Sequence, residues 1–160
     1  MNETAKETVL RRFAYGLHAV TVKDGADAHG MTANWVTQAS FEPPMVAVAV
    51  ENDSKTIGLI RDARYFALNV FQQGQRELAA KLGRTSGKAP HKLKGVNTKP
   101  GPASGAPVLA EALGWLECRL IATLPAGDHT LVLGEVVDAG VEHADTTALT
   151  LQETGFQYAG

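Results

Sequence analysis

A single cysteine, Cys118, stands among 160 residues, so no intramolecular disulfide can form. That scarcity fits a reducing compartment, and a cytoplasmic location is the expectation. An excess of one charge is also missing. Fifteen Lys and Arg face 17 Asp and Glu, and a net charge of -2 holds no general attraction for nucleic acid. No apolar run approaches the ~20 residues a membrane span requires, so no membrane association is expected. The opening MNETAKETVLRR carries acids and lacks an apolar stretch, which argues against a signal peptide there. No Gly-x-Gly-x-x-Gly follows a strand-like stretch, and neither Gly-x-Ser-x-Gly nor Cys-x-x-Cys occurs. Rossmann, serine-hydrolase and zinc readings therefore lack support. His18, His29, His91 and His143 show no metal-ligand spacing, and no metal is expected. No internal repeat or domain boundary is visible, and the length suits one domain over residues 1–160.

What is present describes a globular chain, 44% hydrophobic and 20% charged. Its charge is uneven. The stretch between Glu77 and Glu111 holds no acid but carries Lys81, Arg84, Lys88, Lys92, Lys94 and Lys99. The nine remaining cations face all 17 acids, which leaves the rest of the chain near -8. Such a basic segment either attracts a phosphate-rich small molecule or is a solvated loop.

Periodicity predicts a helix over 3–15, with Val9, Leu10 and Phe13 on one face and Gly16 as its stop. Strands are expected over 18–23, 30–36 and 45–50, with a turn beginning at Asp24 and Gly25. The run 45–50 is apolar throughout, as in a strand buried on both sides, and Pro43 and Pro44 give it an extended entry. A helix follows over 54–63, a strand over 65–71 and a second helix over 75–82. Residues 84–106, rich in Gly, Pro, Lys and Ser, read as a long loop. Further strands are expected over 115–124, 129–141, 148–151 and 156–158. Many short strands with few helices favour a mainly β barrel or sandwich.

Three segments carry candidate chemistry. Residues 30–40, GMTANWVTQAS, are small and polar in the middle. They either admit a flat, polar-edged ring close to the backbone or form an edge strand with polar outward positions. Residues 51–56, ENDSKT, precede a helix. Ser54 is placed as its N-cap, and Lys55 and the Thr56 hydroxyl complete either a phosphate cradle or a plain helix start. The capping-box partner is absent, because Ile57 stands where Glu or Gln would be. His129, after Gly127 and Asp128, starts a strand; it meets a ligand edge at a barrel mouth or is simply a polar strand start.

Taken together and in order, these segments resemble the flavin reductase-like family. The resemblance runs through GMTANWVTQASFEPPMVAVAVENDSKT, the Phe66-Ala-Leu-Asn-Val70 strand, Gln75 with Leu78 and Ala79, Pro107-Val-Leu109, Gly114-Trp-Leu-Glu-Cys118 and Gly127-Asp-His129. It covers about residues 9–158. It implies a six-stranded, Greek-key-like split β-barrel with a few flanking short helices, paired as a homodimer with the flavin at the interface. By position, Thr32, Ala33, Asn34, Trp35 and Val36 line the flavin ring, and Ser54, Lys55 and Thr56 hold its phosphate, with Ser40 and Asp53 counted among the cofactor-binding residues. His129 is the catalytic position where NADH or NADPH approaches. Trp35 departs from the Ser common in reductases that feed monooxygenases, and the ending ETGFQY also differs. FMN is the expected cofactor and FAD the alternative. The implied activity is NAD(P)H-dependent flavin reduction, with electrons passed to a partner monooxygenase or another acceptor. Two other readings are open: a non-catalytic FMN-holding electron carrier, and a split barrel for another flat ligand.

Overall fold

A computed structural model of the chain describes residues 1–158. Helix α1 (Glu3–Leu10) begins where the Asn2 side chain accepts the Ala5 amide at 3.0 Å. It ends well before residue 15. None of its residues is buried, and Val9 and Phe13 stay exposed, so no packed face extends a short helix that is marginal on its own.

Strands β1 (His18–Asp24) and β2 (Asp27–Ala33) form a hairpin whose turn uses Gly25 at φ 61°. The strand expected over 30–36 is broken. β2 stops at Ala33, and β3 (Val36–Ser40) begins after Asn34 and Trp35. A turn over residues 41–44, not an extended entry at the two prolines, leads to β4 (Met45–Glu51). With β5 (Tyr65–Val70), β8 (Gly114–Ala126) and β9 (His129–Val141), these strands make one antiparallel sheet in the order β2-β1-β5-β8-β9-β4-β3.

β2 and β3 lie on opposite edges of that sheet yet are joined by two residues, so the sheet must curl until its edges meet. The Ala49 amide donates to the Trp35 carbonyl at 3.0 Å, carrying the β3–β4 ladder one residue into the bend. The sheet has seven strands against the six expected, the strand expected over 30–36 being broken at the bend between β2 and β3. The neighbours β1–β5 and β9–β4 are distant in sequence, which gives the Greek-key character.

The main core gathers Val20, Val22, Val46, Val48, Val50, Phe66, Leu68, Cys118, Leu120 and Val132, with Ile57 and Ile60 of α2 (Lys55–Ala63). Gly134 lets β9 pass the Phe66 ring, for a Cβ there would lie 2.6 Å from it. A second core packs Leu17 and Ala19 against Phe71 and α3 (Arg76–Leu82). β1 is therefore buried on both faces. β4 is not: Val46, Val48 and Val50 are buried, but the apolar Met45, Ala47 and Ala49 on its other face are only half-buried.

The stretch 84–106 is less open than its composition predicts. Strand β6 (Thr98–Pro100) pairs with β7 (Pro107–Leu109). The fully buried Glu117 carboxylate accepts the Ala103 amide at 2.8 Å, the Ser104 amide at 2.9 Å and the Ser104 hydroxyl at 2.5 Å. The strands expected over 148–151 and 156–158 do not form. Ala148 and Thr150 make isolated bridges, and α4 (Leu151–Thr154) follows at once, started by a Thr150–Glu153 capping box. Among the described residues, no helix is long and apolar enough to cross a membrane.

Candidate functional site

The bend between β2 and β3, the end of β4, the start of α2, the end of α3 and the C-terminal residues 156–158 enclose a cavity of about 710 Å³. A volume of that order suits a mononucleotide-sized ligand.

At one end lies the start of α2. Ser54 occupies the N-cap position with extended backbone, as expected, but its side chain makes no capping bond. Without an acidic or amide side chain at Ile57, there is no reciprocal box to hold it. Its Oγ is buried and without a partner, and Ser54 lines the cavity together with Lys55 and Thr56. An uncapped helix N-terminus and an orphan hydroxyl favour the same thing, an anionic acceptor. Residues 83–87, which follow α3, also line the cavity, adding the Arg84 cation and the small polar Thr85 and Ser86. Lys92 organises that wall from behind. Its ammonium, 5% exposed, donates to the carbonyls of Leu82 and Arg84 at 2.9 Å each, and burial holds its pKa below the ordinary lysine value. The basic stretch is therefore partly structural.

The other end is aromatic. The Trp35 ring lies 4.7 Å from the His129 ring and 5.4 Å from that of Tyr158, both tilted. Its indole Nε1 is buried without a partner. His129 is 8% exposed, with Nδ1 2.6 Å from the Asp128 carboxylate and Nε2 3.1 Å from the Tyr158 hydroxyl. The hydrogen bond to His129 keeps the Asp128 carboxyl below its usual range. Tyr158 also donates to Glu51, and its carbonyl accepts the Asn34 side-chain amide at 3.2 Å. Burial first, then the Glu51 carboxylate, pushes the Tyr158 phenol up. Asn52 ties the loop before α2 to the β8–β9 turn. Its amide donates to the Gly127 carbonyl at 2.9 Å, and its oxygen accepts the Thr130 hydroxyl at 2.7 Å.

The cavity thus gathers Thr32, Ala33, Asn34, Trp35, Asp53, Ser54, Lys55 and Thr56. It does not gather three others. Val36 packs against the main core, Ser40 ends β3, and His129 stands behind Tyr158. The Thr32 hydroxyl is also engaged elsewhere, donating to the Ala79 carbonyl at 2.7 Å. Sequence reasoning placed Arg84 in a basic segment able to attract phosphate, but missed residues 84–87 as a cavity wall and Tyr158 as a contact of His129. The small polar Arg-Thr-Ser-Gly run after the helix was the available signal for the first; nothing local marks the second. Cys118, inside the barrel, is no nucleophile, for burial pushes its thiol up to about 12.

Residues 10–160 match the flavin reductase like domain family, and the chain belongs to it. Diflavin flavoprotein A 1 of Synechocystis sp. is 32% identical over 155 residues, which are 95% of this chain. The chain spans about a quarter of the length of that relative, 27%. Among solved structures, the NADH:FAD oxidoreductase SgcE6 of Streptomyces globisporus is 30% identical with a TM-score of 0.82, covering 93% of this chain and 87% of its own. The FMN-binding protein of Thermus thermophilus is 26% identical with a TM-score of 0.77, over 84% and 75% of the two chains.

Proposed function

We propose that this chain is a flavin-binding oxidoreductase domain that holds FMN in the cavity and presents it to NADH or NADPH. The observation that carries this reading is the buried, partnerless Ser54 hydroxyl beside the uncapped start of α2, in the wall of a cavity that Trp35 also lines. Bound flavin supplies the redox chemistry, accepting a hydride and passing electrons to an oxygenase or another acceptor. The chain supplies the placement. Ser54, Thr56 and the first α2 amides hold the phosphate, with Lys55 and Arg84 adding charge. Residues 32–35 form the wall for the ring, and His129, oriented by Asp128, positions the nicotinamide. FAD is the alternative ligand. We place the domain in the cytoplasm, in keeping with its one free, buried cysteine, and as a homodimer, for the apolar outer face of β4 described above.

A non-catalytic, FMN-holding electron carrier is the second reading, favoured by Tyr158 standing between His129 and the cavity. Anaerobic mixing of the FMN-loaded protein with NADH separates the two. The enzyme reading expects the flavin's visible absorption to bleach within seconds. Bleaching by dithionite but not by NADH or NADPH would leave the carrier. The phosphate assignment has its own check. Ser54→Ala with Thr56→Ala is expected to weaken FMN about 100-fold, since charge-assisted hydrogen bonds contribute ~1.5–3 kcal/mol each. Riboflavin, which has no phosphate, should lose less than about twofold on the same scale. Equal losses in a fluorescence titration would overturn the assignment.

A further inference from the structure

His29 lies on β2, 3% exposed, and its Nε2 is 3.0 Å from the Thr56 hydroxyl. Thr56, 1% exposed, sits in the first turn of α2 and lines the cavity. A threonine hydroxyl has one hydrogen and two lone pairs, while an imidazole Nε2 donates or accepts according to where its proton sits. Two arrangements satisfy the pair. With Nε2 as acceptor, the Thr56 hydrogen points at His29, and the hydroxyl can offer the cavity only lone pairs. With Nε2 as donor, a Thr56 lone pair takes the imidazole proton and the hydroxyl hydrogen turns toward the cavity. A phosphate monoester oxygen that is ionised only accepts hydrogen bonds, so the first arrangement repels it and the second binds it.

We propose that His29 is a positioning residue for the flavin phosphate. By donating from Nε2 it makes Thr56 a donor toward the cavity, and it thereby sets a preference for FMN over riboflavin. This rests on the phosphate assignment made above. His29 need not touch the ligand, and its effect on the phosphate passes through the Thr56 hydroxyl. An imidazolium form would serve as well, since Nε2 then carries a proton in any case.

The test compares FMN and riboflavin affinities, by quenching of flavin fluorescence, for wild type, His29→Leu, His29→Gln, Thr56→Val and the His29→Leu/Thr56→Val pair. His29→Leu is expected to weaken FMN about fivefold, the scale of one neutral hydrogen bond, and riboflavin by less than about twofold. The Thr56 hydroxyl can still rotate toward the phosphate but is no longer held there. His29→Gln, whose side-chain amide can replace the Nε2 donor, should regain most of the loss. In the Thr56→Val background, His29→Leu should add less than about twofold, because no hydroxyl remains to be turned. Equal losses on both ligands, no recovery by Gln, or a full further loss in the Thr56→Val background would each overturn the proposal. Wild-type protein gives an arm that needs no variant to fold. Nitrogen NMR of labelled histidine should show His29 Nε2 protonated in the FMN complex, and a bare Nε2 there overturns the idea. If Thr56→Val weakens FMN and riboflavin alike, the phosphate assignment fails and this proposal with it. If Thr56→Val discriminates while His29→Leu does not, only the role of His29 falls.

Discussion

In a His129→Ala variant, reduction of bound flavin by NADH is expected to slow about 100-fold, while FMN affinity changes by less than about threefold. The imidazole is held on three sides: by Asp128 at Nδ1, by Tyr158 at Nε2 and by the Trp35 ring at 4.7 Å. A ring fixed that firmly can orient a second flat ring, and displacing a reactant by about 1 Å is enough to cost on the order of 10²-fold in rate. FMN affinity is spared because His129 is not among the residues that line the cavity. Dithionite reduces flavin without any nicotinamide contact, so its rate should not change. Stopped-flow traces with both reductants on the same preparation give the comparison. An unchanged NADH rate would return His129 to the role of a polar strand start. Parallel slowing with dithionite would instead point to a general change in access.

Much of the barrel is legible because its strands carry their own punctuation. β9 runs over 129–141 as the sequence predicts, since Gly127 and Asp128 turn the chain and alternation holds from there. β5 and the start of α2 follow for the same reason: Phe66 and Leu68 alternate inward, and Ser54 precedes Ile57 and Ile60. Errors fall where a distant contact outweighs the local pattern. Residues 30–36 look like one strand, but the two sheet edges must meet, and the bend at Asn34 and Trp35 is where they do. Residues 148–151 look apolar enough for a strand, yet Thr150 and Glu153 spell a capping box that wins. The site divides the same way. Its contiguous parts, 32–35 and 53–56, are readable as patterns. Arg84 and Tyr158 reach it only through tertiary packing, and no spacing rule connects Tyr158 to His129.

The largest effect is expected at the outer face of the β4–β9–β8 region. Ala49 pairs with Leu131, and Leu131 with Leu124, so these three share one face by register. Ala49 lines the cavity. Leu131 is 37% exposed and Leu124 62%, so an apolar row leads outward from the cavity edge. The all-apolar run of β4 reads as a strand covered on both sides, and a single chain leaves Met45, Ala47 and Ala49 half-open. A second copy laid on this face by a twofold axis would cover it and complete both cavities at once. Light scattering should then give twice the 17.0 kDa of one chain. Leu124→Lys with Leu131→Lys removes four leucines from such a symmetric interface and brings like charges together. Leu131 and Leu124 are already partly covered, so each protomer has about one leucine's worth left to bury. At ~1.5–3 kcal/mol per leucine, that is about 3–6 kcal/mol for the pair of protomers, enough to raise the dimer Kd about 10²- to 10⁴-fold. The variant should run as a monomer at micromolar concentration, and its FMN affinity should fall with it, because ligand shared across an interface stabilises the pair by mass action. For the wild type, added FMN should raise the dimer fraction on dilution. A monomeric variant that keeps full FMN affinity would show that each chain completes its own site. A wild type that stays monomeric at every concentration, with or without FMN, would remove the dimer altogether.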